Sequence, residues 1–397
     1  MITIIKNGYV YSPKFLGKKD VLIVSSNIEG VYDNLDIPKE FGEIKVIDAK
    51  ENIVIPGFID SHVHLIGGGG EGGFSTRTPE IQLSHIISSG ITTVVGCLGT
   101  DGICRSMESL LAKAKGLEEE GITTYIYTGS YSIPVNNITG CSKSDIMLID
   151  KVIGVGEIAL SDHRSSQPSY EDFVKICAEG RVGGLLANKP GIIHVHIGSG
   201  KRGIDYLFKV IKDTEIPASQ IIPTHMGRNE DLFNQGIEYM KKGGVIDLTT
   251  SSDPNFLEEG EIKASSGFKR ILDSGLDPER VHFSSDGQGS LPIFNKKREY
   301  VGLGIGSVQS LYREFKDCVI KEKIEIEDAL KVVTSNVADH LKLNNKGYIE
   351  KEKDADIVIL DKENLDILHV ICKGKHLVKD GKVLKKGTFE GCLLYTS

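Results

Sequence analysis

Between Pro56 and about residue 340 the chain repeats one pattern: a short apolar, β-branched run, a turn, then a stretch with helical spacing. The runs fall at Thr92–Val95, Thr124–Tyr127, Val152–Leu160, Ile192–Ile197, Ile221–Thr224, Val245–Thr249 and Val281–Ser284, after a first at Ile53–Ile59. The helical stretches are clearest at Pro79–Ser89, Ser106–Glu120, Ser169–Gly180, Gly203–Thr214, Leu232–Lys242 and Glu327–Leu341. Strands that are apolar on both faces must be covered on both, which implies a parallel sheet flanked by helices. About eight such strands favour a closed (β/α)8 barrel over an open doubly wound sheet.

The two ends of the chain read differently. Residues 1–55 carry short β-prone segments at Ile2–Ile5, Val21–Val24, Ile28–Val31 and Lys45–Asp48, with at most a brief helical piece near Pro38. From Gly347 such segments return at Asp356–Leu360, Leu368–Cys372, His376–Val378 and Val383, and Asp380-Gly381 is a hairpin-turn signal. The economical expectation is one discontinuous β-sandwich domain from residues 1–55 and 345–390, beside an α/β barrel of residues 56–344. Residues 391–397 continue no pattern and are expected to be a tail, native or added.

Composition excludes some classes. A net charge of -8 without a basic cluster argues against a nucleic-acid surface. No apolar stretch approaches the roughly 20 residues that span a bilayer, so no membrane partner is expected. The start, MITIIKNGYVYSP, lacks a basic region followed by a long apolar run, and no signal peptide is expected. Seven cysteines without a CxxC pair suggest free thiols in a reducing compartment, hence a cytoplasmic protein.

Chemistry concentrates where the apolar runs end. His62 and His64 are one alternation apart, so they point the same way from a strand end. The same position on later runs carries Glu157, His196, His225 and Asp286. Barrel active sites are assembled at the C-terminal ends of several strands. Four histidines and two carboxylates suit two divalent ions, with zinc the default. Taken singly, Glu157 has the plainer role of a salt-bridged barrel residue, and Asp286 that of a helix cap. His194 faces the same side as His196 and is a rival ligand; His196 is preferred because it precedes the glycine turn. The Gly67–Gly70 run is not a phosphate loop, since no Gly-Lys-Ser/Thr follows.

With these residues in place the chain resembles the amidohydrolase superfamily and, within it, the bacterial isoaspartyl (β-aspartyl) dipeptidases. The resemblance runs from residue 1 to about 390. It is dense at PGFIDSHVHLIGGGGEGGFSTRTPE, VVGCLGTDG, YTGSYSIP, LSDHRSS, RVGGLLANKPG, PTHMGRN, SSDGQGS and KGTFE. It implies a distorted barrel beside a small β-sandwich, two zinc ions per chain, cleavage of β-aspartyl linkages in small dipeptides, and a homo-oligomer. Relatives bridge the two metals with a carboxylated lysine, and the matching position here is Glu157. Glutamate is already an anionic oxygen donor, so Glu157 is expected to bridge, together with hydroxide, without bound CO2. Lys151 and Lys189 are not evident substitutes.

The expected chemistry follows. Two divalent ions lower the pKa of a shared water towards ~7 and polarise the scissile carbonyl. Asp286 is the candidate ligand and proton shuttle, and Tyr131 resembles the family's donor to the developing oxyanion. A β-aspartyl dipeptide carries one ammonium and two carboxylates. Glu71 suits the ammonium, and Arg164 and Arg228 suit the carboxylates. Thr100, Ser290 and the backbone near Gly69 complete the shell. His163 and His282 are assigned to support, and His85, His340, His369 and His376 to the surface. Ser290–Tyr300 reads as a long polar connection able to close over substrate. The alternatives are another amidohydrolase acting on cyclic amides or N-acyl amino acids, and a catalytically dead barrel kept for assembly.

Overall fold

A computed structural model describes residues 1–36, 44–252, 260–294 and 300–391. The helical piece expected near Pro38 and the last six residues of the tail lie outside the described residues. The centre is a distorted (β/α)8 barrel. Six parallel strands follow one another in sheet order: β1 (Phe58–Val63), β2 (Ile91–Gly96), β3 (Thr123–Thr128), β4 (Val152–Leu160), β5 (Ile192–Ile197) and β6 (Ile221–Thr224). β7 (Ile246–Thr249) and β8 (Val281–Ser284) form a separate parallel pair. Single hydrogen bonds close the circle on either side of that pair, from Met226 N to Asp247 O at 3.2 Å and from His64 N to Gly287 O at 2.8 Å.

The strands are buried on both faces, as their composition requires. The helices around them begin at side-chain caps. Ser106, Ser169 and Asn229 accept the backbone N–H three residues on, fixing the starts of Met107–Glu120, Tyr170–Ala187 and Glu230–Lys241. The helical stretch expected at Glu327–Leu341 is two helices, Ile326–Lys331 and Ser335–His340, because Thr334 leaves helical geometry with φ -136° and ψ -89°. Helices at Ser142–Leu148, Ala264–Asp273 and Gln309–Ile320 join those expected.

The two chain ends share one nine-stranded sheet. Ile357–Leu360 pairs antiparallel with Ile53–Pro56, which lies beside Ile2–Ser12. Its own core holds Ile5, Val10, Val21, Ile23, Val54, Ile357 and Ile371. The apolar run Ile53–Ile59 is therefore not one strand. It breaks at Gly57, whose N–H donates to Asp356 O, and the next residue, Phe58, already bonds Gly90 of the barrel. The chain changes sheets at a residue whose missing side chain leaves room for Thr92.

Other expectations shift. Asp380 and Gly381 both have positive φ, 50° and 70°, as a type I′ hairpin requires. Of the histidines placed at the surface, only His85 is exposed; His340, His369 and His376 are half-buried. His340 Nδ1 lies 2.8 Å from Nε2 of the buried His282. Ser290–Tyr300 is not an irregular polar connection. Ser290–Phe294 and Tyr300–Ile305 form an antiparallel hairpin, with residues 295–299 outside the described residues. No helix among the described residues is long and apolar enough to cross a membrane.

Candidate active site

At the C-terminal ends of the barrel strands the donor atoms converge on one buried carboxylate. Glu157, from β4, is fully buried. Its Oε2 lies 3.2 Å from His62 Nε2 and 3.8 Å from His64 Nε2 at the end of β1. Its Oε1 lies 2.9 Å from His196 Nδ1 and 3.4 Å from His225 Nε2. One carboxylate thus gives one oxygen to each of two donor groups. Asp286 Oδ1 completes the first side, 2.9 Å from His64 Nε2 and 3.5 Å from His62 Nε2. His225 and Asp286 both adopt left-handed backbone, φ 65° and 51°, uncommon for residues with a side chain and concentrated at functional sites.

The donors fit divalent cations. His62 Nε2 and Glu157 Oε2 are buried, face each other and have no hydrogen-bond partner among the described residues. Buried polar atoms without partners are costly, and a cation between them removes that cost. Two donor groups with atoms within 4.8 Å of one another result: His62, His64, Cys97 and Glu157, and Glu157, His196 and His225. Burial opposes ionisation of Glu157 and Asp286. The surrounding histidines overcome it and hold both carboxyls well below the usual range. His225 is pushed down to about 3 by burial and by His196, so its ring is neutral and can donate a lone pair. The two lysines near the bridge position are engaged elsewhere. Lys189 Nζ binds three carbonyls, those of Ile146, Ile149 and Val152, and Lys151 pairs with Glu118 at the start of β4.

Above this centre lies a cavity of about 510 Å³, lined by His64, Gly69, Glu71, Thr100, Tyr131, Arg164, His196, His225, Arg228, Asp286 and Ser290. The structure thus gathers the sequence-selected residues around one space, with His62 and Glu157 beneath its floor. Tyr131 is buried, its hydroxyl 2.8 Å from His196 Nδ1; burial and the nearby Glu157 raise its pKa well above the ordinary value, so it remains a donor. Glu71 accepts from Thr100 Oγ1 at 2.9 Å and from Arg164 Nη1 at 3.2 Å. Arg228 Nε is buried and has no hydrogen-bond partner among the described residues. His194 belongs to neither donor group; its ring stacks on Tyr127, and burial keeps it neutral. His163 has a 90% exposed side chain, with Nδ1 3.5 Å from Asp162 Oδ1.

The Amidohydrolase family profile matches residues 53–377. The chain belongs to the amidohydrolase family. A beta-aspartyl dipeptidase of Fervidobacterium islandicum AW-1, whose crystal structure contains beta-Asp-Leu dipeptide, is 49% identical with a TM-score of 0.88; the match covers 96% of this chain and 98% of that one. A dihydroorotase of Lactobacillus gasseri is 23% identical over 92% of this chain and 90% of its own. D-hydantoinase, at 19% identity and a TM-score of 0.68, shares the fold.

Several residues of this amidohydrolase's site escape a reading of the sequence. Asp162 is the most consequential. Its Oδ1 accepts from Arg164 N and Nε, and its Oδ2 accepts from Arg164 Nη2 at 2.8 Å and lies 2.9 Å from His196 Nε2. His196 therefore lies between two carboxylates, Asp162 at Nε2 and Glu157 at Nδ1; with a cation at Nδ1 its ring proton would sit on Nε2 and be donated to Asp162. Its place in the SDHR segment was the available signal. Thr249 Oγ1, 2.7 Å from His225 Nδ1, orients the neighbouring ring. Cys97 Sγ lies 3.7 Å from His64 Nδ1. Arg105, buried, donates to Ile66 O and Thr78 O and so pins the glycine run that presents Glu71.

Proposed function

We propose that this amidohydrolase cleaves the β-aspartyl isopeptide bond of isoaspartyl dipeptides, using two zinc ions that His62, His64, Asp286 and Glu157, and Glu157, His196 and His225, would hold. The observation that carries this reading is the division of the two Glu157 oxygens between the donor groups directly beneath a cavity that presents Glu71, Arg164 and Arg228. The 49% identity to a beta-aspartyl dipeptidase supports it. When bound, the ions supply Lewis acidity that makes water nucleophilic at neutral pH and polarises the amide carbonyl.

The chain's own groups do the remaining work. Asp286, kept ionised, takes a proton from the attacking water and delivers it to the departing amine. Tyr131 stays protonated and donates to the oxygen that gains charge. Glu71 is held below the ordinary glutamate range: burial works against its charge, but hydrogen bonds from its own backbone and Thr100, and the charge of Arg164, outweigh it. It therefore receives the substrate ammonium as an anion. Arg228, whose buried Nε has no partner among the described residues, takes a substrate carboxylate.

The deciding experiment is hydrolysis of β-Asp-Leu beside α-Asp-Leu, with metal content determined on the same protein. The expected result is turnover of the β isomer alone with two zinc per chain. Cleavage of dihydroorotate or hydantoins instead, with metal present, would move the assignment to cyclic amides.

A further inference from the structure

We infer that the inner face of the hairpin Ser290–Phe294/Tyr300–Ile305 is the subsite for the side chain of the residue following the β-aspartyl group, and that it selects an uncharged, apolar side chain. This rests on the dipeptidase reading above. Cross-strand partners in an antiparallel pair share a face. Leu291 opposes Gly304, and Ile293 opposes Gly302. Leu291, Ile293 and Gly304 line the cavity, as does Ile262 on a separate segment.

The face is therefore built from two aliphatic side chains, each set opposite a glycine. Among the described residues no heavy atom lies within 4 Å of where a Gly302 Cβ would stand, and a Cβ on Gly304 would lie 3.2 Å from Ile293 Cδ1. Gly304, without a side chain, leaves a shallow recess beside Ile293 on the cavity wall. Ile293 itself is 46% exposed, and covering apolar surface on a cavity wall is favourable. The cavity's cations and the ammonium-binding Glu71 are used by the backbone charges of a dipeptide. The side chain of the second residue is left with the hairpin. Glu261 also lines the cavity, hydrogen-bonded by Ser252, so a lysine side chain is the informative competitor.

The test is a comparison of kcat/KM for β-Asp-Leu, β-Asp-Gly and β-Asp-Lys in wild type, Ile293→Ala and Ile293→Glu. Ratios within one protein cancel any loss of folded enzyme. Wild type is expected to favour Leu over Gly by about 10-fold or more, the discrimination available to one apolar side chain in a hydrophobic pocket. Ile293→Ala should shrink that ratio severalfold, and Ile293→Glu should raise β-Asp-Lys relative to β-Asp-Leu. Equal rates on Leu and Gly, a preference for Lys in wild type, or ratios unmoved by both variants would overturn the subsite alone. No turnover of any of the three would overturn the dipeptidase reading and the subsite with it.

Discussion

Glu157 sits among four imidazoles with no water-facing surface, and its burial would neutralise it without them. Its replacement should therefore act through metal retention. Glu157→Ala is expected to lower the zinc content below two per chain and to cut β-Asp-Leu turnover on the order of 100-fold or more, since even changes to groups that orient ligands cost about 10–100-fold. Glu157→Lys should recover part of the loss on addition of bicarbonate, because a carboxylated lysine presents the same anionic oxygens; wild type should ignore bicarbonate. Activity of wild type that depended on bicarbonate would sink the bridging role. Asp162 acts one bond further out, on both His196 and Arg164. Asp162→Asn should weaken zinc in chelator competition by about 10–100-fold and raise KM. A change in melting temperature with unaltered chelator competition would mean that Asp162 is merely structural.

At the scale of elements, the glycine run is a loop whose path side chains would block. Gly67 has φ +80°, and a Cβ there would overlap Thr78 O. Gly67→Ala should destabilise the protein by more than about 1 kcal/mol in urea unfolding, as alanine does where φ must be positive. It should also raise KM by displacing Glu71. The strand Lys375–Lys379, in the sandwich sheet, carries a titratable pair. His376 Nδ1 accepts from Lys45 Nζ at 3.2 Å, and its Nε2 lies 3.2 Å from His369 Nδ1. Burial and the charge of Lys45, with His369 and Lys379 behind them, pull it down to about 4. The unfolded chain titrates near 6.5 and so binds this proton first as pH falls. Stability from this group is present above that value and is lost between about 6.5 and 4. Melting temperature should fall across that window, and His376→Gln should flatten the slope. An unchanged slope would remove His376 from the account.

For the whole molecule, a buried cation joins barrel and sandwich. Lys346 Nζ donates to Thr123 Oγ1 at the start of β3 and pairs with Asp354 and Asp356 at 2.7 and 2.6 Å. Asp356 in turn accepts from Lys373 N, in the turn between Ile367–Cys372 and Lys375–Lys379. Lys346→Met takes the ammonium from the buried Asp356 and the half-buried Asp354. It is expected to cost about 3–5 kcal/mol in denaturant unfolding, as removing one partner of a buried pair does. A loss below about 1 kcal/mol would show that water replaces the ammonium.

The sequence by itself determined the barrel strands, because segments buried on both faces must be apolar throughout, and that record is local. Val152–Leu160, Ile192–Ile197, Ile221–Thr224 and Val281–Ser284 begin and end where their composition says. It also marked polar residues where those runs stop, since a histidine or carboxylate after a buried strand has little reason to be there except at a site. The tertiary structure decided what depends on distance across the barrel. That Gly57 ends one sheet and begins another follows from Asp356, about three hundred residues away in the chain. The division of the two Glu157 oxygens between His62 and His196, and the reach of Asp162 to His196 Nε2, are set by strand neighbours with no trace in local composition. The apolar face of the hairpin above Asp286 was hidden for the same reason: Leu291 and Ile293 acquire their meaning only from the two glycines folded opposite them.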